Sequence, residues 1–363
     1  MSSSEIVGAS PSAPAPDVKE LFKRAESAFR AGDYATADAL YRQLYANQVS
    51  PGLMLWRLAA IANSRGELDQ AWGLYHQAVA VDPKLATAVT PADFPHHNLV
   101  CRPHYDTEEV PLCPVCGSPD QQPLMVVGYL DWSLCHAAFP PVRRWVRCEA
   151  CAHAFANPRP SAAALQEAYR ELPPKQFLTW QYVQLTLYSD IVHRLWEQRP
   201  GGDWLDVGVA SGGLAGVAMD FGYRVAGLDI NPIYADSVRR VGVEFLLGDI
   251  TTYDFGGRQF DIVSLGDVIE HVADPKFVIA RVMRLVKPGG LIWLSTPNYE
   301  GVWTRALRDK DGMWKECEHL QFFCLRSLRR LLEDQGWRIS DYNLSKRYVG
   351  CAEIVAQRQP PAY

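Results

Sequence analysis

The chain has 363 residues, 48% of them hydrophobic and 21% charged, with a formal net charge of −5. That share of apolar material excludes a disordered protein, the acidic balance without a long basic tract excludes a nucleic-acid coat, and the length predicts two or three domains. No segment holds 18 uninterrupted apolar residues, and the start lacks the charged, apolar and small-residue pattern of a secretion signal, so the expectation is a cytoplasmic protein with no membrane partner.

Residues 1–16 are rich in Ser, Pro and Ala, with hardly any large apolar side chains to offset the entropy of ordering, and read as a flexible leader. From 17 to 85 the chain repeats at a 34-residue offset, with Gly32 over Gly66, Ala37 over Ala71 and Tyr41 over Tyr75. A period of that length is a helix-turn-helix unit, in which glycine closes one helix, alanine permits close packing and tyrosine fills the groove. Together with Tyr34, Ala78 and Pro83, these positions resemble the tetratricopeptide pattern. Two such units fall short of the three or so needed for independent stability, so they are expected to dock on another domain, a protein partner or a second copy of the chain. Residues 86–110 read as a linker. His96, His97 and His104 lack a regular spacing there and read as solvated loop histidines.

Two C-x2-C hooks follow, Cys113 with Cys116 and Cys148 with Cys151, separated by 31 residues. Each hook is a tight turn that brings two thiolates to one side, and two hooks complete a tetrahedral soft-ligand site suited to zinc. With four thiolates and no open position, the metal would be structural. Between the hooks, "LMVVGYLDW" and "RRWVRC" are strand-like, while Cys135 and His136 read as packing or loop groups. The segment 113–170 resembles the zinc-binding region that precedes the catalytic domain in some bacterial methyltransferases, including enzymes acting on nucleotide-linked sugars. That resemblance implies an accessory zinc-ribbon domain over 111–170, on the acceptor side.

Over 171–363 apolar strands alternate with helical stretches from Trp204 onward, the signature of a parallel sheet covered by helices. The strand "DWLDVGV" runs into "ASGGLAGVAMDFG", where Gly208, Gly212 and Gly213 clear side chains from a ligand's path at a helix start. Asp229 follows Gly208 by 21 residues, a distance suited to accepting both ribose hydroxyl protons. This much fits a nicotinamide enzyme equally well. The continuation decides: "EFLLGDI", "FDIVSLGDVIEHVADP" and "LVKPGGLIWLSTPN" make three further strands, and the series over about 200–345 resembles class I S-adenosylmethionine-dependent methyltransferases, in the group that includes ubiquinone-type O-methyltransferases.

The resemblance implies an α/β, Rossmann-like, seven-stranded domain that binds S-adenosylmethionine. Asp206, Gly208 and Gly212 would shape the methionine and ribose pocket, with Ala210 standing where the family usually has glycine. Asp229, with Ile230 beside it, would grip the ribose; Asp249 with Ile250 would flank the adenine; Gly266 with Asp267 would line the methionine side. The tail resembles the same group, with Leu325, Leu328, Leu331 and Leu332 as a packing face and Gly336 ending the helix.

Methyl transfer needs an acceptor atom in line behind an electrophilic carbon, with no metal required. A hydroxyl or amine acceptor also needs a base. The candidates are His271 beside Glu270 and His319 beside Glu318, each carboxylate orienting its imidazole; the alternative for each histidine is a loop cap. Residues 299–318, with Trp303, Trp314, Arg305, Lys310 and Lys315, read as a lid over an aromatic or anionic acceptor or as packing against the zinc domain. Three functions are therefore open: a methyltransferase, first of all an O-methyltransferase, for a small molecule, sugar nucleotide or peptide; one for a protein or carrier-bound substrate recruited by the repeats; or a scaffold that has lost catalysis. A nucleic-acid partner is disfavoured, since the chain is acidic and stretches such as "RRW" at 143–145 are too short to make a basic patch with interleaved aromatics.

Overall fold

The 34-residue offset reappears as two helix pairs: α1 (Val18–Ala31) with α2 (Tyr34–Ala46), and α3 (Pro51–Ser64) with α4 (Leu68–Val81). Gly32 and Gly66 take the left-handed conformation between the helices of each pair, and Asp17 and Asp33 cap α1 and α2 by accepting from Lys19 N and Thr36 N. Ala37, Tyr41, Ala71 and Tyr75 are buried, as the repeat requires.

The protein is described by a computed structural model over residues 17–86, 106–129, 140–171, 182–316 and 318–359. The leader, most of the linker with His96, His97 and His104, and Cys135 and His136 lie outside the described residues. The chain divides into two compact units, Met1–Leu85 and Ala86–Tyr363. No helix among the described residues is long and apolar enough to cross a membrane.

The second unit opens with β1 (Thr107–Glu108), β2 (Gln121–Gly128), β3 (Val142–Cys148), β4 (Ala154–Ala156) and β5 (Arg159–Pro160), followed by α5 (Ala162–Glu171) and α6 (Tyr182–Gln198). Strands β1 and β5 pair with each other. The large sheet comprises β6 (Gly202–Val207), β7 (Tyr223–Asp229), β8 (Glu244–Leu247), β9 (Phe260–Gly266) and β10 (Val286–Pro297). Interleaved with these are α7 (Gly213–Asp220), α8 (Ala235–Arg240) and α9 (Pro275–Leu285). Then come α10 (Val302–Leu307), β11 (Gln321–Phe322), α11 (Leu325–Glu333), β12 (Trp337–Leu344) and β13 (Cys351–Arg358).

Seven strands run in the order β12-β13-β10-β9-β6-β7-β8, parallel from β10 to β8 and antiparallel at β13 and β12. The central strands are buried on both faces, so they read as nearly continuous apolar runs. Successive residues serve opposite cores: Leu205, Val263 and Leu294 join one with Leu328 and Leu331 of α11, while Trp204, Ile262 and Trp293 join the other with Leu195 of α6 and Leu214 of α7. At the amino-terminal edge, the buried Asp261 accepts from Lys287 Nζ (2.7 Å), Arg199 Nε (3.1 Å) and Asp203 N (2.9 Å).

A second sheet has the order β11-β4-β3-β2, all antiparallel. Its edge strand β11 comes from the segment between β10 and α11, so the region bearing the cysteine hooks is tied by main-chain hydrogen bonds to the chain that follows the large sheet. It also has a larger core than a metal-clipped hairpin would bury alone: Trp145, Trp314, Phe322 and Tyr299 pack together, with Trp145 and Trp314 rings 5.5 Å apart. Trp314 thus packs against the cysteine-hook region, whereas Trp303 is exposed.

Candidate active site

Strand order reverses between β6 and β9, and the carboxyl ends of strands at such a reversal form a crevice. The turn after β6 is built for close approach. Gly208 is left-handed (φ 71°), and a Cβ there would lie 2.7 Å from Val268 Cγ2. Ala210 is also left-handed (φ 45°), at a strain of about 1 kcal/mol for a residue with a Cβ. Its N–H donates to Asp229 Oδ2 (3.0 Å), and Asn231 N donates to Asp229 Oδ1 (2.9 Å). Asp229 therefore clamps the turn after β6 to the turn after β7. Each oxygen of the carboxylate retains capacity for a second donor, as two ribose hydroxyls would supply. Burial pushes its carboxyl above the usual range.

Asp206, near the end of β6, is buried and accepts from Ser264 Oγ (2.6 Å), which in turn accepts from Trp204 Nε1 (2.8 Å). Burial raises Asp206 to about 7, with the Ser264 bond opposing. Asp267, at the end of β9, is left-handed (φ 56°); its Oδ1 accepts from Ser295 Oγ (2.7 Å) and its Oδ2 from Arg347 Nη2 (3.1 Å). Gly266 adjoins it, and a Cβ there would stand 3.2 Å from Trp293 Cζ3, a tight contact. Ile230 stands exposed next to Asp229. Asp249 is exposed after β8 and closes its own turn, accepting from Thr251 N and Oγ1, while Ile250 is buried in the core.

The two candidate bases, 48 positions apart, come together: the rings of His271 and His319 lie 4.8 Å apart at 69°. Leu320 N and Gln321 N donate to the Glu270 carbonyl, joining the two segments. His271 Nδ1 is 3.3 Å from the Glu318 carbonyl and His319 Nδ1 is 3.3 Å from the Met313 carbonyl. A carbonyl only accepts, so in each ring Nδ1 carries a proton, and in the neutral imidazole Nε2 then holds the lone pair that a base uses. The carboxylate beside His271 is that of Glu318, 3.9 Å from Nδ1, reached across the loop contact and not along the chain. One ligand-capable atom from each of Glu270, His271 and His319 lies within 4.8 Å of the others, and Glu270 and His319 are buried.

The four hook cysteines also converge. Cys113 and Cys151 sulfurs are 3.6 Å apart, Cys116 and Cys148 sulfurs 3.5 Å, and all four lie within 4.8 Å. These separations are far beyond a disulfide and near the roughly 3.8 Å between sulfurs of a tetrahedral site with bonds of about 2.3 Å. Both hooks share one backbone design: Gly117 N donates to the Cys113 carbonyl and Ala152 N to the Cys148 carbonyl, with Gly117 and Ala152 both left-handed. The donor set fits a soft divalent ion.

Four residues of these sites had not been singled out for a role. His153, directly after the second hook, is fully buried and donates through Nε2 to Gln321 Oε1 (2.7 Å), while Gln321 Nε2 donates to the Val272 carbonyl; burial lowers its pKa to about 4. Arg143, whose guanidinium lies over the Tyr129 and Trp145 rings, donates to the His319 carbonyl. An arginine buried in a strand that reads "VRRWVRC" was the available signal, since alternation puts Arg143 and Trp145 on one face. Tyr188 and Arg347 meet beside Asp267 and carry no local motif.

Residues 179–341 match a family model described as a methyltransferase domain. This region is therefore similar to methyltransferase domains, and its strand order is that of a Rossmann-like sheet. Among curated proteins the chain is similar to phosphoethanolamine N-methyltransferase 2 of Caenorhabditis elegans, 32% identical over 113 residues, 29% of this chain and 26% of that protein. It is also similar to a ubiquinone biosynthesis O-methyltransferase of Thiobacillus denitrificans, 35% identical over 103 residues, 26% of this chain and 44% of that protein. The chain thus spans less than half the length of these relatives. Among solved structures, the 1,6-didemethyltoxoflavin-N1-methyltransferase of Burkholderia thailandensis aligns with a TM-score of 0.44 at 19% identity, over 57% of this chain and 96% of that one.

Proposed function

We propose that the chain is an S-adenosylmethionine-dependent methyltransferase that O-methylates a small molecule, sugar nucleotide or peptide of a biosynthetic pathway. The observation that carries this reading is the acidic, glycine-cleared crevice at the strand-order reversal, with Asp229 spanning two turns and Asp206 and Asp267 beside it. Asp229 takes the ribose hydroxyls, Ile230 packs against the nucleoside, Asp249 and Ile250 flank the base, and Gly208, Ala210, Gly212 and Gly266 leave room for the rest. When bound, the cofactor supplies a methyl group made electrophilic by its sulfonium. The chain's own residues would hold the acceptor in line and remove its proton, with Nε2 of His271 or His319 taking it from the hydroxyl. Glu318 and Glu270 orient the imidazoles, and Arg143 positions the His319 loop.

The four cysteines hold a structural zinc ion that fixes β3 and β4, and through β11 the loop bearing His319. Residues 17–85 act as two tetratricopeptide-like units. Their lack of a third unit supports a docking role, and a carrier-bound acceptor recruited there is the second reading. The test is incubation with methyl-labelled cofactor and fractionated cell metabolites, read by mass spectrometry. A labelled product that disappears in the H271N/H319N double variant is expected. An unchanged product in that variant removes the imidazoles from the mechanism, and no labelled product in any fraction removes the transferase reading.

A further inference from the structure

The crevice is acidic throughout, except at one point. The buried Asp206 and Asp229 and the half-buried Asp267 converge on it, yet an amino-acid ligand carries a carboxylate as well as an ammonium, and these acids repel the former. Among the described contacts, the cation at this edge is Arg347, from the hairpin between β12 and β13. Its side chain is only 13% exposed. Nη2 donates to Asp267 Oδ2 (3.1 Å), the guanidinium carbon lies 5.1 Å from the Tyr188 ring centroid and 5.0 Å from that of Tyr348, and Nη1 is 3.5 Å from where a Cβ on Gly266 would stand. Burial works against its charge, while Asp267 sustains it. Tyr188, in turn, closes on the start of α7: its Cε2 is 2.6 Å from a Cβ built on Gly213.

The topology fixes which end of a nucleoside-linked amino acid this guanidinium meets. Asp229 is on β7, on one side of β6, and Gly266 is on β9, on the other. Two strand spacings, about 10 Å, separate them, roughly the span of a ribose and an attached amino-acid arm. We propose that Arg347, held by Asp267 and seated between Tyr188 and Tyr348, binds the α-carboxylate of the cofactor's methionine arm, with Asp206 facing the ammonium. This rests on the methyltransferase reading above. Asp267 uses one oxygen on Ser295 and the other on a single Nη, and Tyr348 takes a further hydrogen bond, so guanidinium N–H donors remain for a carboxylate, their usual partner. Asp267 and Tyr188 act as positioning residues, and neither touches the transferred methyl.

The test compares two ligands on the full chain by calorimetry: S-adenosylhomocysteine, which has the carboxylate, and 5′-methylthioadenosine, which keeps the nucleoside and sulfur but lacks the amino-acid arm. Arg347→Gln is expected to weaken S-adenosylhomocysteine roughly ten- to hundredfold while leaving 5′-methylthioadenosine unchanged, with R347K intermediate. Retained 5′-methylthioadenosine binding also shows that the variant is folded. Equal loss of both ligands, or loss of neither, overturns the assignment of Arg347 while leaving the methyltransferase reading intact. If the unaltered chain binds neither ligand, both fall.

Discussion

The two ends of the seven-stranded sheet hold buried aspartates in opposite states. At the amino-terminal edge Asp261 is met by Lys287, Arg199 and a main-chain N–H, and although burial alone would raise it, these partners bring it down to about 2. At the carboxyl-terminal edge Asp206 has one serine hydroxyl and a distant arginine, and burial prevails, raising it to about 7. Both are buried aspartates on neighbouring central strands, β9 and β6; the difference is the supply of cations. One end is electrostatically complete and serves stability. The other is left short of positive charge, which a cationic ligand such as the proposed cofactor would supply.

The comparison can be broken most strongly at Asp261. D261N leaves Lys287 and Arg199 facing a neutral amide, and because both cations are a third or more exposed the cost is screened to about 2 kcal/mol; denaturant unfolding at pH 7 reads it. Because the folded pKa lies below the unfolded value of 3.8, the stabilisation is present above that value and is lost as pH falls toward 2. An Asp261→Asn protein as stable as the parent removes the structural half of the contrast.

Chelation comes next. The hook cysteines share a core with Phe155, Phe323 and Leu328, and the adjoining sheet packs around Trp145 and Trp314, so removing metal should lower Tm by roughly 5 °C or more without dissolving the large sheet. Differential scanning calorimetry with and without chelator, alongside metal analysis, checks this. A metal-free protein with unaltered Tm removes the structural-zinc proposal.

Asp206 gives the smallest effect and the sharpest sign. An acid whose folded pKa lies above its unfolded value disfavours folding increasingly as pH rises from 3.8 to about 7, so D206N is expected to be more stable than the parent at pH 8, by about 1 kcal/mol. For cofactor binding the sign is reversed. The ionised form faces the ammonium, so affinity for S-adenosylhomocysteine tightens as pH rises toward 7, by up to about tenfold per unit, then levels off, and D206N flattens the profile. A pH-independent affinity in the parent contradicts this role.

Much of this architecture is legible in the chain. The strands of the sheet announce themselves as apolar runs ending in Gly or Asp, because both faces are buried and the ligand sits at their ends. The hooks are legible because thiolate geometry requires short spacing. The pairing of β11 with β4 is not, since two residues carry no period, and neither is the meeting of His271 with His319, which depends on that pairing. Beside the Glu270 that adjacency suggests, whose carboxylate lies within 4.8 Å of the ring, His271 meets Glu318 from 47 positions away, because a folded loop brings distant side chains together. Arg347 is equally hidden: an arginine in a hairpin looks like a solvated loop residue until Tyr188 and Asp267 close around it.

The central claim is that the crevice between β6, β7 and β9 holds an adenosyl amino acid. Isothermal titration of the full chain with S-adenosylhomocysteine tests it most directly, with NADH as the competing dinucleotide and D229N as the control. The account predicts one site, micromolar affinity, a roughly tenfold or greater loss in D229N, and no heat from NADH. Binding of NADH in place of S-adenosylhomocysteine, or affinity indifferent to Asp229, would contradict it.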